Sequence, residues 1–331
     1  MDPNFKINTM ILNTYKKYWF LLGLLLTTAI TQAQLEPQYT QYMYNIGSFN
    51  PAYSGTVENP EIVGLYRAQW IDINGAPRTI RLGANVPFAN EKNGLGINIV
   101  SDQLGPTTQT FFNAAYSYQI NVSEYTKLSF GINAGGASLD VDFTKGSFQN
   151  PDEPLLSSNT FNEFYPTVGA GMFLYDDEWY LGVSVPNFLT GSVSDEVASL
   201  INDKVQFNFI GGYVFDLSDQ LKFKPAVLAN FVTGLPVRLN MSANFLISDV
   251  VTLGAGYRSS NALSGLAGFQ ISSSMFVGYS YDYDTSNLGQ YNQGSHEIIL
   301  KFYLGAEGGN KPDKPDKRKG KPKQIDTPRF F

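Results

Sequence analysis

From Glu61 onward, apolar and polar residues alternate with a period of two. Val237, Leu239, Met241, Ala243 and Phe245 interleave with Arg238, Asn240, Ser242 and Asn244. Leu128, Phe130, Ile132 and Ala134 interleave with Lys127, Ser129, Gly131 and Asn133, and Val205, Phe207 and Phe209 with Gln206 and Asn208. A strand with one apolar and one polar face separates two unlike environments. Turn residues cut the chain into fourteen predicted strands: 61–71, 77–87, 94–102, 109–120, 125–139, 163–175, 178–186, 205–216, 220–232, 235–247, 249–259, 262–271, 273–284 and 294–304.

Two architectures fit this pattern. In a soluble sandwich the apolar faces meet in a shared core. In an outer-membrane barrel they face lipid, and the polar faces line a lumen. Strand length favours the barrel: soluble strands run about 5–6 residues, and a tilted membrane strand needs about 9–11. Tyrosines crowd the predicted strand ends, as at Tyr116 and Tyr118, Tyr175 and Tyr180, and Tyr279 to Tyr283, which suits interfacial girdles. The fold expected is therefore all-β, a transmembrane antiparallel barrel of about 14 strands over 61–304. An even count puts both termini on the periplasmic side. The turn at Ser248-Asp249 is then periplasmic, and the connections near 103–108, 140–162, 187–204 and 284–293 are extracellular.

The two ends of the chain read differently. Lys16 and Lys17 precede an apolar run, Trp19 to Ala29, too short to span a bilayer as a helix. Thr31-Gln32-Ala33 is a small-x-small site, so 1–33 is expected to be a signal peptide cleaved between Ala33 and Gln34. The tail 305–331 carries eight Lys/Arg against four Asp/Glu and four prolines. It is expected to be a disordered, basic, proline-rich periplasmic extension. With a net charge of −6 overall, the body between these basic ends is acidic, which suits nucleic acid poorly. The chain has no Cys, hence neither disulfide staples nor thiolate chemistry.

Enzymatic chemistry finds little support. His296 is the one histidine, and in Ser295-His296-Glu297 consecutive side chains face opposite sides of a strand. No GxSxG, HExxH or phosphate-binding loop occurs. Asp282-Tyr283-Asp284 looks like a fragment of a calcium loop without its glycine and terminal glutamate. The expectation is no catalysis, no cofactor and no bound metal. More informative are Arg67, Arg81 and Arg238, which share strand faces with polar or small residues. Arg or Lys on the lipid face at midplane costs about 2–4 kcal/mol, so all three should point into the lumen.

Between leader and first strand lies EPQYTQYMYNIGSFNPAYSGT, Glu36 to Thr56, with neither a helical nor a strand period. Tyr39, Tyr42, Tyr44 and Tyr53 offer flat contact surface with a polar tip, and Asn50-Pro51 favours an extended turn. The segment 34–60 is expected to pack in the periplasmic mouth as a plug, with Tyr39, Gln41, Tyr42, Asn50, Pro51 and Tyr53 meeting Arg67, Gln69 and Trp70. The alternative is a strap that docks a periplasmic partner.

The motifs PQYTQYMYN, FNPAYSGT, YRAQWIDINGAPRTI and a final GSHEI strand, in that order, resemble the PorP/SprF family of Bacteroidota outer-membrane proteins. The resemblance runs from about Glu36 to Leu304. It implies a part in type IX secretion and gliding motility: a barrel that helps export or retain a surface protein carrying a C-terminal sorting domain. The partners implied are outer-membrane lipid, an adhesin-like cargo, and periplasmic type IX components or peptidoglycan. A passive or hydrophobic-substrate channel is the alternative function, and a soluble exported sandwich the alternative fold.

Overall fold

The computed structural model describes residues 37–145, 160–189, 205–260 and 262–305. The expected leader, its cleavage site at Ala33 and Gln34, and the basic tail lie outside these. The described chain forms β1 (Glu61–Ala68), β2 (Arg78–Pro87), β3 (Asn93–Leu104), β4 (Thr107–Asn121), β5 (Lys127–Asp142), β6 (Thr160–Tyr175), β7 (Trp179–Val185), β8 (Gln206–Tyr213), β9 (Phe215–Ser218), β10 (Leu221–Val232), β11 (Arg238–Ile247), β12 (Val251–Arg258), β13 (Ala262–Ser272), β14 (Met275–Asp284) and β15 (Ser295–Tyr303). Apart from β8 and β9, which both pair with β10, each pairs antiparallel with its sequence neighbour; β15 returns to pair with β1, and β10 pairs with β11, so the sheet closes.

Closure gives fourteen staves from fifteen strand segments, because β8 and β9 lie end to end against β10. The single strand predicted over 205–216 is interrupted at Val214. There the ladder lapses beside Pro225 of β10, which has no N–H to give. The Val214 amide faces the β7 side and donates to the Glu178 carbonyl at 2.7 Å.

The faces sort as a barrel and not as a sandwich. Ile80, Leu82, Ile97, Ile132, Leu181 and Phe269 are more than half exposed on the outer wall. Thr79, Ser117, Ser129, Asn208, Asn244 and Ser280 are buried on the inner one. That outer band is what lipid would cover. No described helix is long and apolar enough to cross a membrane.

The inner face departs from the simple alternation in one respect. Val63, Leu65, Phe173, Ile210, Leu228 and Ile299 also point inward and are buried. Tyr175 and Tyr180, expected in an interfacial girdle, are among them at 4% and 1% exposure, whereas Tyr116, Tyr118, Tyr279 and Tyr283 do lie outside. The reason is parity. Tyr175 shares its strand face with inward Phe173, and Tyr180 shares its face with inward Ser184. An aromatic lumen face is stable only if something other than water covers it.

β1 and β15 meet at one end of the barrel, Glu61 opposite Tyr303, which we call the terminal end. Ser248 and Asp249 turn between β11 and β12 at that same end with φ of 51° and 56°. Two positive φ values in a two-residue hairpin match the twist of the flanking strands. The long connections leave from the opposite end.

Candidate functional site: a lumen filled by the N-terminal segment

Residues 37–56 lie inside the barrel as three short 3-10 turns, Tyr42–Tyr44, Ile46–Ser48 and Pro51–Tyr53. Asn50 starts the last turn: its side chain accepts from the Ala52 amide at 2.9 Å, and Pro51 occupies the first position, where no N–H is required. Met43, Ile46, Phe49 and Ala52 are at most 5% exposed and form one apolar cluster with the inward side chains of the wall. This segment is what covers the aromatic inner face. Tyr53 meets Phe173 edge-on at 5.7 Å between centroids, and Phe173 stacks on Tyr180 at 5.6 Å.

The backbone approaches the wall closely where the wall is glycine. A Cβ added to Gly131 of β5 would lie 2.2 Å from the Ala52 nitrogen. Gly55, at φ 76°, crosses Gly94 of β3 so tightly that a Cβ on either would meet the other's backbone within 2.6 Å. The left-handed φ and the close approach both require glycine.

A buried charge cluster grips the start of the segment. Arg67 of β1 pairs with Asp282 of β14 at 2.7 Å and with Glu297 of β15 at 3.1 Å. Glu297 accepts from the Thr40 and Gln41 amides at 2.9 and 2.8 Å. The Thr40 hydroxyl donates to Asp282 at 2.7 Å and accepts from Arg67 at 2.9 Å and Arg258 at 3.1 Å. Arg258 lies 3.6 Å from Asp282 and also donates to Asn240 at 2.9 Å. Two guanidinium groups balance two carboxylates, so the cluster is close to neutral. Each charge is stabilised only while its partners stay, and removing one leaves a buried charge uncompensated.

Lower contacts tie down the rest. The Tyr42 hydroxyl donates to the Ala226 carbonyl at 2.7 Å. Asn50 donates to the Met172 carbonyl at 2.9 Å, and Ser184 to the Phe49 carbonyl at 2.6 Å. Ser117 donates to the Ser54 carbonyl, and Gln119 to the Gly55 carbonyl at 2.6 Å. At the terminal end Lys301 pairs with Glu61 at 2.9 Å, and Asn85 donates to Glu61 at 2.7 Å. The Nζ of Lys224 lies over the rings of Tyr44 and Tyr180, at 5.7 and 5.6 Å from their centroids.

The segment thus runs the height of the lumen. Pro37 and Gln38 share a small cavity with Gln206 and Arg238, which stand at strand ends on the far side from the terminal end. Gly55 lies low, beside Gly94 and Gln119. It is not confined to the mouth at which β1 begins.

The residues singled out in the sequence separate into groups. Arg67 is brought to the segment through Thr40, and Gln41 reaches the Glu297 carbonyl at 3.3 Å. Tyr39 packs edge-on to Phe49 at 5.7 Å. Gln69 and Trp70 fall beyond β1. Gln69 is buried and bonds Pro77 through its amide at 3.0 Å; Trp70 takes φ 45° in the following turn and donates its amide to Ser295 at 3.2 Å. Arg81 faces the lumen and donates to Asn98 at 2.7 Å, and Arg238 donates to Gln206 at 3.1 Å. Sequence reasoning missed Asp282, Glu297, Arg258, Glu61 and Lys301. The parity argument used for Arg67 covers them equally, since any charged side chain on a membrane strand belongs on the inner face.

A closed antiparallel barrel with an apolar outer band and a polar-lined, occupied lumen is an outer-membrane protein. The model of the type IX secretion system membrane proteins PorP/SprF matches residues 31–302, and the chain belongs to that family. No curated protein matches it. Among solved structures it is similar to the CymD monoaromatic hydrocarbon channel, at 13% identity and TM-score 0.49, covering 83% of this chain and 95% of that one. A Pseudomonas aeruginosa FadL homologue gives 13% and 0.40 over 81% and 95%. Acinetobacter baumannii Omp33 gives 10% and 0.41 over 76% and 100%.

Proposed function

We propose that this type IX outer-membrane barrel acts as a sealed docking unit for an exported surface protein carrying a C-terminal sorting domain, and not as an open pore. The observation that carries the reading is the filled lumen: residues 37–56 are bonded to the wall from Thr40 to Gly55. A channel for small solutes gains nothing from a core packed across its own lumen. In this reading the terminal end is periplasmic, the leader 1–33 is removed, and the basic tail 305–331 meets periplasmic type IX components or peptidoglycan. The residues that act are binding groups and not catalysts.

Deleting the gene tests this. One particular surface protein should be lost from the cell surface or degraded while other type IX cargo is still displayed. Normal display of every cargo in the deletion strain would defeat the proposal.

A further inference from the structure

Beside the N-terminal segment, the β3–β6 wall holds a small, partly open cleft of about 70 Å³. Its lining includes Asn98, Asn113, Asn133 and Thr167, with Tyr39 and Phe111 as aromatic surface, and contains no Lys, Arg, Asp or Glu. Its side-chain polar groups are carboxamides and hydroxyls. Asn113 accepts from Thr167 at 2.7 Å and Asn133 donates to the Pro186 carbonyl at 3.2 Å. The Asn133 Oδ1 is buried with no hydrogen-bond partner.

The cleft ends at a strand edge that no described strand covers. β4, β5 and β6 run 15, 16 and 16 residues, whereas β7 has only 7. Pairing of β6 with β7 begins at Ala170, opposite Val185. Above it, Val168 accepts from the Phe188 amide at 2.8 Å and donates to the Asn187 side chain at 3.1 Å. Val168 therefore points its main-chain groups toward β7, and in antiparallel geometry so do Pro166, Phe164 and Asn162. Among the described residues no strand pairs with that side of β6 from Thr160 to Thr167. The amides and carbonyls of Phe164 and Asn162, and the Pro166 carbonyl, have no strand partner there.

We propose that this edge and the adjoining cleft form one binding site for an extended, uncharged polypeptide segment, which adds as a strand to β6 and reaches a side chain into the cleft among the asparagines. The occupant follows from the chemistry. A free strand edge matches only another main chain. Carboxamides offer both a donor and an acceptor, as each peptide unit does. A lining without fixed charge gives no purchase to a phosphate, a lipid headgroup or a metal ion. The proposal rests on the docking function above and names its site: the ligand is a stretch of the exported protein.

The test replaces Phe111 in the cleft, and separately Asn162 on the edge, by p-benzoylphenylalanine in the full chain in cells, with Ile132 on the outer band as control. Irradiation should join both positions, but not the control, to one exported polypeptide, the same one lost from the surface in the deletion strain. Asn113→Leu with Asn133→Leu should lower the adduct yield about tenfold, the effect of roughly one lost hydrogen bond. Heat-modifiable migration of the barrel should be unchanged. Adducts only within the chain itself, for example to residues 190–204, or only to a second copy, would overturn the site while cargo loss in the deletion strain left the docking function standing. If no surface protein depends on the barrel, both fall together.

Discussion

Glu297 does three jobs with one carboxylate: it balances Arg67 and receives two consecutive main-chain amides, Thr40 and Gln41. Glu297→Gln keeps the shape and removes the charge. A broken buried pair costs about 3–5 kcal/mol, so the midpoint of urea unfolding should fall clearly. Arg67→Met combined with Glu297→Gln should lose less than the sum of the two single changes. Additive losses would show that the pair is not coupled. At Gly131 the argument is steric. Gly131→Val places a side chain where Ala52 now lies, 2.2 Å from the ideal Cβ. Exchange of the Tyr53 and Ser54 amides should then speed up about tenfold or more, equivalent to about 1.4 kcal/mol of local opening. Unchanged exchange would mean that the segment does not need the glycine.

At the scale of elements, the N-terminal segment is part of the core and not an appendage. Its turns are short, yet their apolar groups sit at the centre of the cluster. Hydrogen exchange over Thr40 to Gly55 should therefore be as slow as in β1, and much slower than in the turn at 88–92. The strands themselves were readable because lipid and lumen demand opposite faces, and a period of two reports that directly. What periodicity cannot report is the content of the lumen. Tyr175 and Tyr180 looked interfacial because aromatics at strand ends usually are, but here they face a filled interior. The break at Val214 was equally hidden, since its cause, Pro225, lies on the next strand. Arg67 was legible as an inward charge. Its partners Asp282 and Glu297 lie more than 200 residues away in sequence, and only closure of β15 on β1 brings them together.

At the scale of the molecule, closing the sheet creates a lumen, and the segment before β1 fills it. From Pro37 near one mouth, the segment passes down inside the barrel and leaves at the terminal end to begin β1. In the proposed reading the barrel is a sealed unit, its interior held by the charge cluster at one level and by Ser117, Gln119 and Glu61 near the other. The most direct test of that seal is single-channel conductance in planar bilayers, for the full barrel and for a variant lacking residues 37–56 whose folding is checked by heat-modifiable migration. The full barrel should be electrically silent, and the variant should show a steady open current. A steady current of equal size through both would contradict the account.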